Sequence, residues 1–496
     1  MSGENIRKGS LLRLDESEGL GEFVHPYTDL MAMTDPSSSD QRGEFWLPAT
    51  PETRITGVLR LGPPLAGQLV LDGELMPGAG PEPLVHGLLF SGQPITAMDC
   101  YAAGRSSRYT QDRKLLSQKL AVKTVLIGEN VGEHPVFDHL VVRLTYLPEW
   151  ANVNQGWGIP DVQGSRYSVA YDAPTDRTAV LKDGRTVTLR TVDNLTTSSS
   201  SIHGEQQTEF LVIFPEPASL AAVMEVVASL RDLVTFTARR PASVTALAVT
   251  CPGVLLGPGT DIQRSLELHY RHVELDPQQN IGDFDIRDSD FLFLAPDQSS
   301  DFAALIEHWL GLENRLDLVL ALFMSLYYAP PLHLQNKVMN ICQVAEAYHR
   351  ATMDWKLMPD EEYSALTDLL VAECPESRRQ WLTDILGNAK GPSFRVRIEE
   401  LVAKSGTVGA ALTATFKNYS GELRDCRIQY AHWLPGKALS EERVVELAAL
   451  FDVTKIIIEA CLLQDLGWSQ TDAASLLMTK RDFERLSKRP RPAPTS

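Results

Sequence analysis

Paired cysteines, long apolar runs and a surplus of positive charge are all missing from this 496-residue sequence. Its six cysteines (Cys100, Cys251, Cys342, Cys374, Cys426, Cys461) form no C-x-x-C pair and have no histidine in ligand register. That pattern fits reduced thiols rather than disulfides or zinc, so neither a structural metal nor a cofactor is expected. No window approaches roughly eighteen uninterrupted apolar residues, and the segment from Met1 to Lys8 has no apolar stretch followed by a small-residue cleavage site. Neither a membrane span nor a signal peptide is therefore expected, and the cytoplasm is the default location. A net charge of −18 argues against non-specific coating of nucleic acid, which is driven by release of counterions from phosphates. Any contact with RNA must rely on positive charge gathered locally.

What is present is an ordinary globular composition, 44% hydrophobic and 22% charged, in a chain long enough for two to four domains. Residues 1–40 carry little patterning and are expected to be a flexible leader. From 41 to 195 the chain is a succession of short β-forming runs, among them Phe45-Trp46-Leu47, Ile55 to Leu61, Gln68 to Leu71, Val85 to Phe90, Ala121 to Ile127 and Phe137 to Tyr146. Gly and Pro punctuate them, which predicts an antiparallel sheet or barrel, with Trp46 and Trp150 as core anchors. Asp183-Gly184 marks a hairpin ahead of the strand from Arg185 to Arg190, a further strand is expected at Tyr167 to Tyr171, and Thr196 to Ser201 is expected to be a loop.

Residues 196–300 predict a mixed α+β part of the same region. It contains a helix opened by an N-cap at Ser219 and strands near 243–250 and 264–275. Apolar residues at threes and fours then dominate 301–486, predicting a helical bundle with helices over 302–328, 334–354, 359–388, 394–417, 422–433 and 440–465. Residues 487–496, rich in Arg and Pro, are expected to be a disordered tail.

Within the bundle lies Arg427-Ile428-Gln429-Tyr430-Ala431-His432. Metal-free RNA cleavage needs a group that titrates near neutrality to move the proton of the ribose 2'-hydroxyl, and a fixed cation to meet the charge building on the phosphate. His432 and Arg427 are those two residue types. The spacing alone is a weak signal, because Arg264 and His269 repeat it inside a predicted strand. Near the motif Lys390, Arg395, Arg397, Lys404, Lys417, Arg424, Arg427 and Lys437 outnumber Glu399, Glu400, Glu422 and Asp425. Tyr430 is available to stack on a base, with core packing as its other use. Glu346 either orients the catalytic groups or forms a structural ion pair, and His349 and Arg350 read as surface or interhelical contacts.

In the N-terminal part Gly43 to Pro48 and Phe137 to Trp150, and in the helical part Glu346 to Arg350, Ser393 to Leu401, Arg427 to His432 and Cys461 to Trp468, together resemble ApeA-type proteins. These are bacterial anti-phage proteins in which a β-rich N-terminal region precedes a C-terminal HEPN ribonuclease domain. The resemblance implies an α+β multidomain chain ending in an all-α HEPN bundle. It also implies a metal-independent endoribonuclease of abortive-infection type, with Arg427 and His432 catalytic and Glu346, Arg424 and Tyr430 supporting. Its partners would be RNA, such as tRNA or another single-stranded loop, a second copy of the chain in a homodimer through the HEPN domain, and a phage protein as trigger.

The family pattern usually has Asn or Asp directly after the arginine, where this chain has Ile428. Arg424-Asp425 has that polar neighbour but stands too far from His432. The alternative reading is a non-catalytic HEPN module that binds RNA or protein.

Overall fold

The β-forming runs of the N-terminal region pair into antiparallel ladders in the computed structural model. It describes residues 40–490 apart from 63–65, 77–81, 110–113, 153–160, 164–165, 169–174, 198–201, 258, 271–285, 297–298, 329–332, 354–355, 357, 388 and 432–439. The leader up to residue 39, the end of the tail, Ser198 to Ser201 and the second half of the strand predicted at Tyr167 to Tyr171 lie outside the described residues.

Strands β1 (Asp40–Trp46), β2 (Ile55–Leu61), β3 (Gly67–Leu71), β4 (Glu82–Leu89), β5 (Pro94–Tyr109) and β6 (Lys114–Ile127) run in the spatial order β6-β3-β2-β1-β4-β5, and β5 pairs back onto β6. The result is a closed barrel, filled by alternating residues such as Phe45, Leu59, Leu69, Val85, Ile95 and Val125. Closure brings backbones close. A Cβ on Gly57 would stand 2.6 Å from the Val70 carbonyl oxygen, so glycine is what lets β2 lie against β3 there.

The same sheet continues past the barrel. One edge of β6 lies along β5, while its other edge is shared, with residues 118–122 on β3 and 124–127 on a later strand. In chain order there follow β7 (Val136–Leu144), the one-turn helix α1 (Leu147–Trp150), the small ribbon β8 (Asp161–Gln163) with β9 (Arg166–Ser168), β10 (Arg177–Val180), β11 (Thr186–Thr197), β12 (Ile202–Ser219), helix α2 (Leu220–Ala238), β13 (Val244–Leu255) and β14 (Gln263–Tyr270). The extension runs β6-β14-β13-β7-β12-β11-β10. A boundary at 195/196 therefore falls inside the β11–β12 hairpin, and one sheet spans both sides of it.

The Asp183-Gly184 turn joins β10 to β11, with Gly184 at φ 88 donating its amide to the Leu181 carbonyl at 3.0 Å. Arg264 and His269 sit on β14 as expected: Arg264 binds the Gly128 carbonyl and Glu129, whereas His269 pairs with Glu267. Of the two tryptophans, Trp46 lies at the end of β1, and Trp150 is buried on α1 against Phe210 rather than on a strand.

Ser219 caps α2, its hydroxyl accepting from the Ala222 amide at 3.3 Å. This helix is apolar on nearly every face because it is covered twice, by β7 and β12 on one side and by α3 (Ser299–Tyr328) on the other. Trp309 of α3 donates its indole N–H to the Ser229 carbonyl at 3.1 Å, and Phe236 packs on Trp309 and Phe323. A single core therefore runs from the open sheet into the helices.

Glu313 of α3 faces this seam and accepts from the Ser229 hydroxyl, and burial with the nearby Asp232 pushes its pKa up to about 7. A carboxyl whose folded pKa lies above its ordinary value stabilises the fold below that ordinary value, and the contribution is lost as pH rises through about 7. Glu313→Gln should accordingly leave urea stability near its parental value at about pH 4. At about pH 8 it should raise stability by on the order of 3 kcal/mol. Equal effects at the two pH values would refute the assignment.

The remaining helices are α4 (Leu334–Thr352), α5 (Asp360–Glu373), α6 (Arg379–Gly387), α7 (Phe394–Lys404), α8 (Thr407–Thr413), α9 (Tyr419–Ala431), α10 (Glu441–Asp465), α11 (Gln470–Met478) and α12 (Arg481–Ser487). Two of the predicted helices are broken. Pro375 interrupts 359–388, holding Cys374 extended and leaving a 3-10 turn before α6. Gly406, at φ 63 and packed on Gln470, interrupts 394–417. Among the described residues no helix is long and apolar enough to cross a membrane.

Candidate functional site

Three helices meet around the motif arginine, and α10, buried along most of its length, forms the floor on which α4 rests. On α4 the spacing of Cys342, Glu346 and Arg350 puts all three on one face, one turn apart. From α9, Arg427 reaches across and donates from Nη2 to Glu346 Oε2 at 2.9 Å. Its guanidinium also lies over the Phe394 ring of α7, 5.2 Å from the centroid. Arg427 keeps 35% of its side chain exposed and Glu346 25%, so the pair is at the surface of the bundle rather than sealed within it.

Glu346 is shared. Its other carboxylate oxygen faces Arg350 Nη2 at 3.8 Å. From α7, Arg397 is almost fully buried, its Nε donating to the Pro392 carbonyl at 2.9 Å while Nη1 is enclosed with no hydrogen-bond partner. Burial, and after it the charge of Arg350, holds the Arg397 pKa below its ordinary value; Glu346 and Glu400 oppose the shift and Arg427 adds to it. Glu400 in turn binds Nε2 of the fully buried His349. Burial likewise pushes the Cys342 thiol pKa up, with the Arg427 charge opposing. The arrangement is a compact cluster of three guanidiniums, two carboxylates and one imidazole.

Of the residues singled out from sequence, the structure brings Arg427 and Glu346 into contact. His432 lies outside the described residues; the described part of α9 ends at Ala431, immediately before it. Tyr430 packs against the core, and burial raises its pKa. Arg424 is exposed and paired with Asp425 at 2.6 Å, which neutralises it in place.

Part of the local basic excess is consumed in the same way, since Arg395 pairs with Glu399 and Lys404 with Asp465; Lys437 is outside the described residues. His349 proves to be an interior interhelical contact, whereas Arg350 is at the surface. Phe394, Arg397 and Glu400 belong to the cluster but were not singled out as site residues.

Among the described residues, no group of three His, Cys, Asp or Glu side chains is placed to hold a metal ion.

Residues 41–309 match the family model for ApeA N-terminal domain 1, more than half of the chain, and residues 339–472 match that for the Apea-like HEPN domain. The chain belongs to the ApeA-like family. Its HEPN match takes in α4, α7 and α9 and therefore the whole cluster around Glu346 and Arg427. The α+β architecture, a β-rich region followed by a helical HEPN region, agrees with the fold class expected from sequence. No curated protein and no solved structure matches the chain.

Proposed function

We propose that this ApeA-like protein is a metal-independent endoribonuclease of anti-phage defence, with Arg427 and His432 as its catalytic residues. The observation that carries the reading is the partly exposed Arg427, held in one orientation by Glu346 and Phe394 inside the HEPN match. Such a guanidinium meets a phosphate as a preorganised two-pronged donor, and the charge building on the phosphorane strengthens that bond. His432, of the residue type suited to proton transfer near neutral pH, moves the proton of the 2'-hydroxyl or of the leaving 5'-oxygen. Glu346 acts by positioning Arg427, and the β-rich region serves as sensor of the trigger.

Two chains are proposed to pair through the HEPN domain, so that both copies of the motif line one cleft. Exposed apolar Ile428 on α9 and Val445 on α10 support such a surface. RNA is the substrate because the nucleophile is the substrate's own 2'-hydroxyl, which DNA lacks.

Incubated with total RNA or tRNA in EDTA, the purified protein should leave 2',3'-cyclic phosphate and 5'-hydroxyl ends. Cleavage abolished by EDTA, or 3'-hydroxyl ends, would contradict this chemistry. Ile428 at the usually polar position, together with neutralisation of Arg427 by Glu346, favours one second reading, a HEPN module that binds RNA or protein without cutting it. That reading predicts no cleavage under any of these conditions.

A further inference from the structure

Where the β-rich region meets the last helices lies a cleft of about 290 Å³, at the lower end of the size range of small-molecule sites, with no motif residue among the described residues that line it. Arg239 and Arg240, which follow α2, come from the match to the N-terminal domain and Lys455 of α10 from the HEPN match, while Lys480, Arg481 and Asp482, at the start of α12, lie past the end of that match. Five basic side chains thus line it, against the carboxylates of Asp290 and Asp482. Glu459, fully buried behind them, binds Arg239 and Lys455, and Asp482 also binds Arg239. Counting all three carboxylates, positive charge remains in excess.

Lys480 is the sharpest sign of that excess. It is 8% exposed, and its ammonium donates to the Ser289 and Phe291 carbonyls, which are neutral acceptors. A buried ammonium beside further cations is costly unless an anion offsets it. Burial lowers the pKa of both Lys455 and Lys480, and the charge of Arg239 adds to the lowering in each, while Glu459 and Asp482 oppose it.

We propose that this cleft binds a diphosphate group, carried by a nucleotide or free as pyrophosphate. Deep cations such as Arg239, Lys455 and Lys480 can be reached by a short chain of phosphates, and Arg481 at the rim can meet its outer oxygens. No aromatic side chain is among the described residues lining the cleft, so nothing there stacks on a base and the phosphates carry the recognition. The acidic Asp290 and Asp482 disfavour an extended polyanion such as RNA. A ligand in this place touches residues of both family matches and would tie the β-rich region to the HEPN helices.

The test is calorimetric titration of the full chain with inorganic pyrophosphate, ADP, adenosine and a short single-stranded RNA. Pyrophosphate and ADP should bind saturably and adenosine should not. ADP binding more tightly than pyrophosphate assigns a nucleotide, and the reverse assigns the free anion. Arg481→Ala should weaken binding at least tenfold with its ligand-free melting temperature unchanged, and Lys455→Met should weaken it at least as much from the floor of the cleft, measured at a temperature where the variant is folded.

The proposal is overturned if neither pyrophosphate nor ADP binds, if both variants bind like the parent, or if the RNA displaces pyrophosphate and binds more tightly. His432→Ala should bind pyrophosphate like the parent, which separates failure here from failure of the ribonuclease reading.

Discussion

Alanine at position 432 should slow RNA cleavage by about 10²–10⁴-fold, the range spanned by loss of a positioned proton-transfer group. The folded state should be unaffected, with circular dichroism and melting temperature matching the parent. Arg427→Ala should lose about as much as an oxyanion donor contributes, 10²–10³-fold. It also releases Glu346, which keeps the more distant Arg350 as partner. Arg427→Lys restores a charge but not the two-pronged geometry or the face that lies on Phe394, so it should recover little. The readout is initial rate on a labelled RNA, with end analysis of the residual products. Parental rates in His432→Ala would end the catalytic assignment of the motif, because no other group proposed here can take the 2'-hydroxyl proton.

Glu459→Ala should be the most damaging single substitution for the join between the two regions. This carboxylate is fully buried; it accepts from Arg239 at 2.9 and 3.1 Å and from the Tyr327 hydroxyl at 3.1 Å, and it stands 3.6 Å from the Lys455 ammonium. Removing it leaves Lys455 without its buried counter-charge and Arg239 with Asp482 as its carboxylate partner. Breaking a buried pair from one side costs about 3–5 kcal/mol, because the orphaned charge stays desolvated. The denaturant midpoint should drop accordingly, and hydrogen exchange should quicken in α2 and α10 ahead of the barrel. Asp482→Asn, at a more exposed position, should cost less. A Glu459→Ala protein within about 1 kcal/mol of the parent would show that the join does not depend on this charge cluster.

The local signals in the sequence were reliable where one residue decides the outcome. Ser219 caps the helix it was expected to open, and Asp183-Gly184 makes its hairpin. Helix breaks failed because periodicity continues across them: apolar spacing on both sides of Pro375 and Gly406 hides a change of direction that proline geometry and a positive φ impose. Barrel closure was legible only as a possibility, since the pairing of β5 with β6 and the sharing of β6 between β3 and β14 depend on contacts distant in sequence.

At the candidate site, Glu346 and Arg427 could be named in advance, yet Arg397 could not. Nothing in Phe394-Arg395-Val396-Arg397 distinguishes the arginine that turns inward from Arg395, which pairs on the surface with Glu399. Glu459 did leave a trace, a lone acid within Ile456-Ile457-Ile458-Glu459-Ala460-Cys461, but its partner Arg239 lies far back in the chain.

The divided edge of β6 limits how this molecule can be cut. A fragment holding only the barrel strands would bare residues 124–127 of β6 where β14 had covered them, and a fragment starting after β6 would bare β14 instead. Either cut leaves unpaired amides and carbonyls on an apolar strand, the usual seed of edge-to-edge aggregation. Pieces for testing the proposed trigger recognition should therefore keep 40–328 together, because α3 also covers the apolar face of α2, and a domain swap between relatives should place its junction after α3.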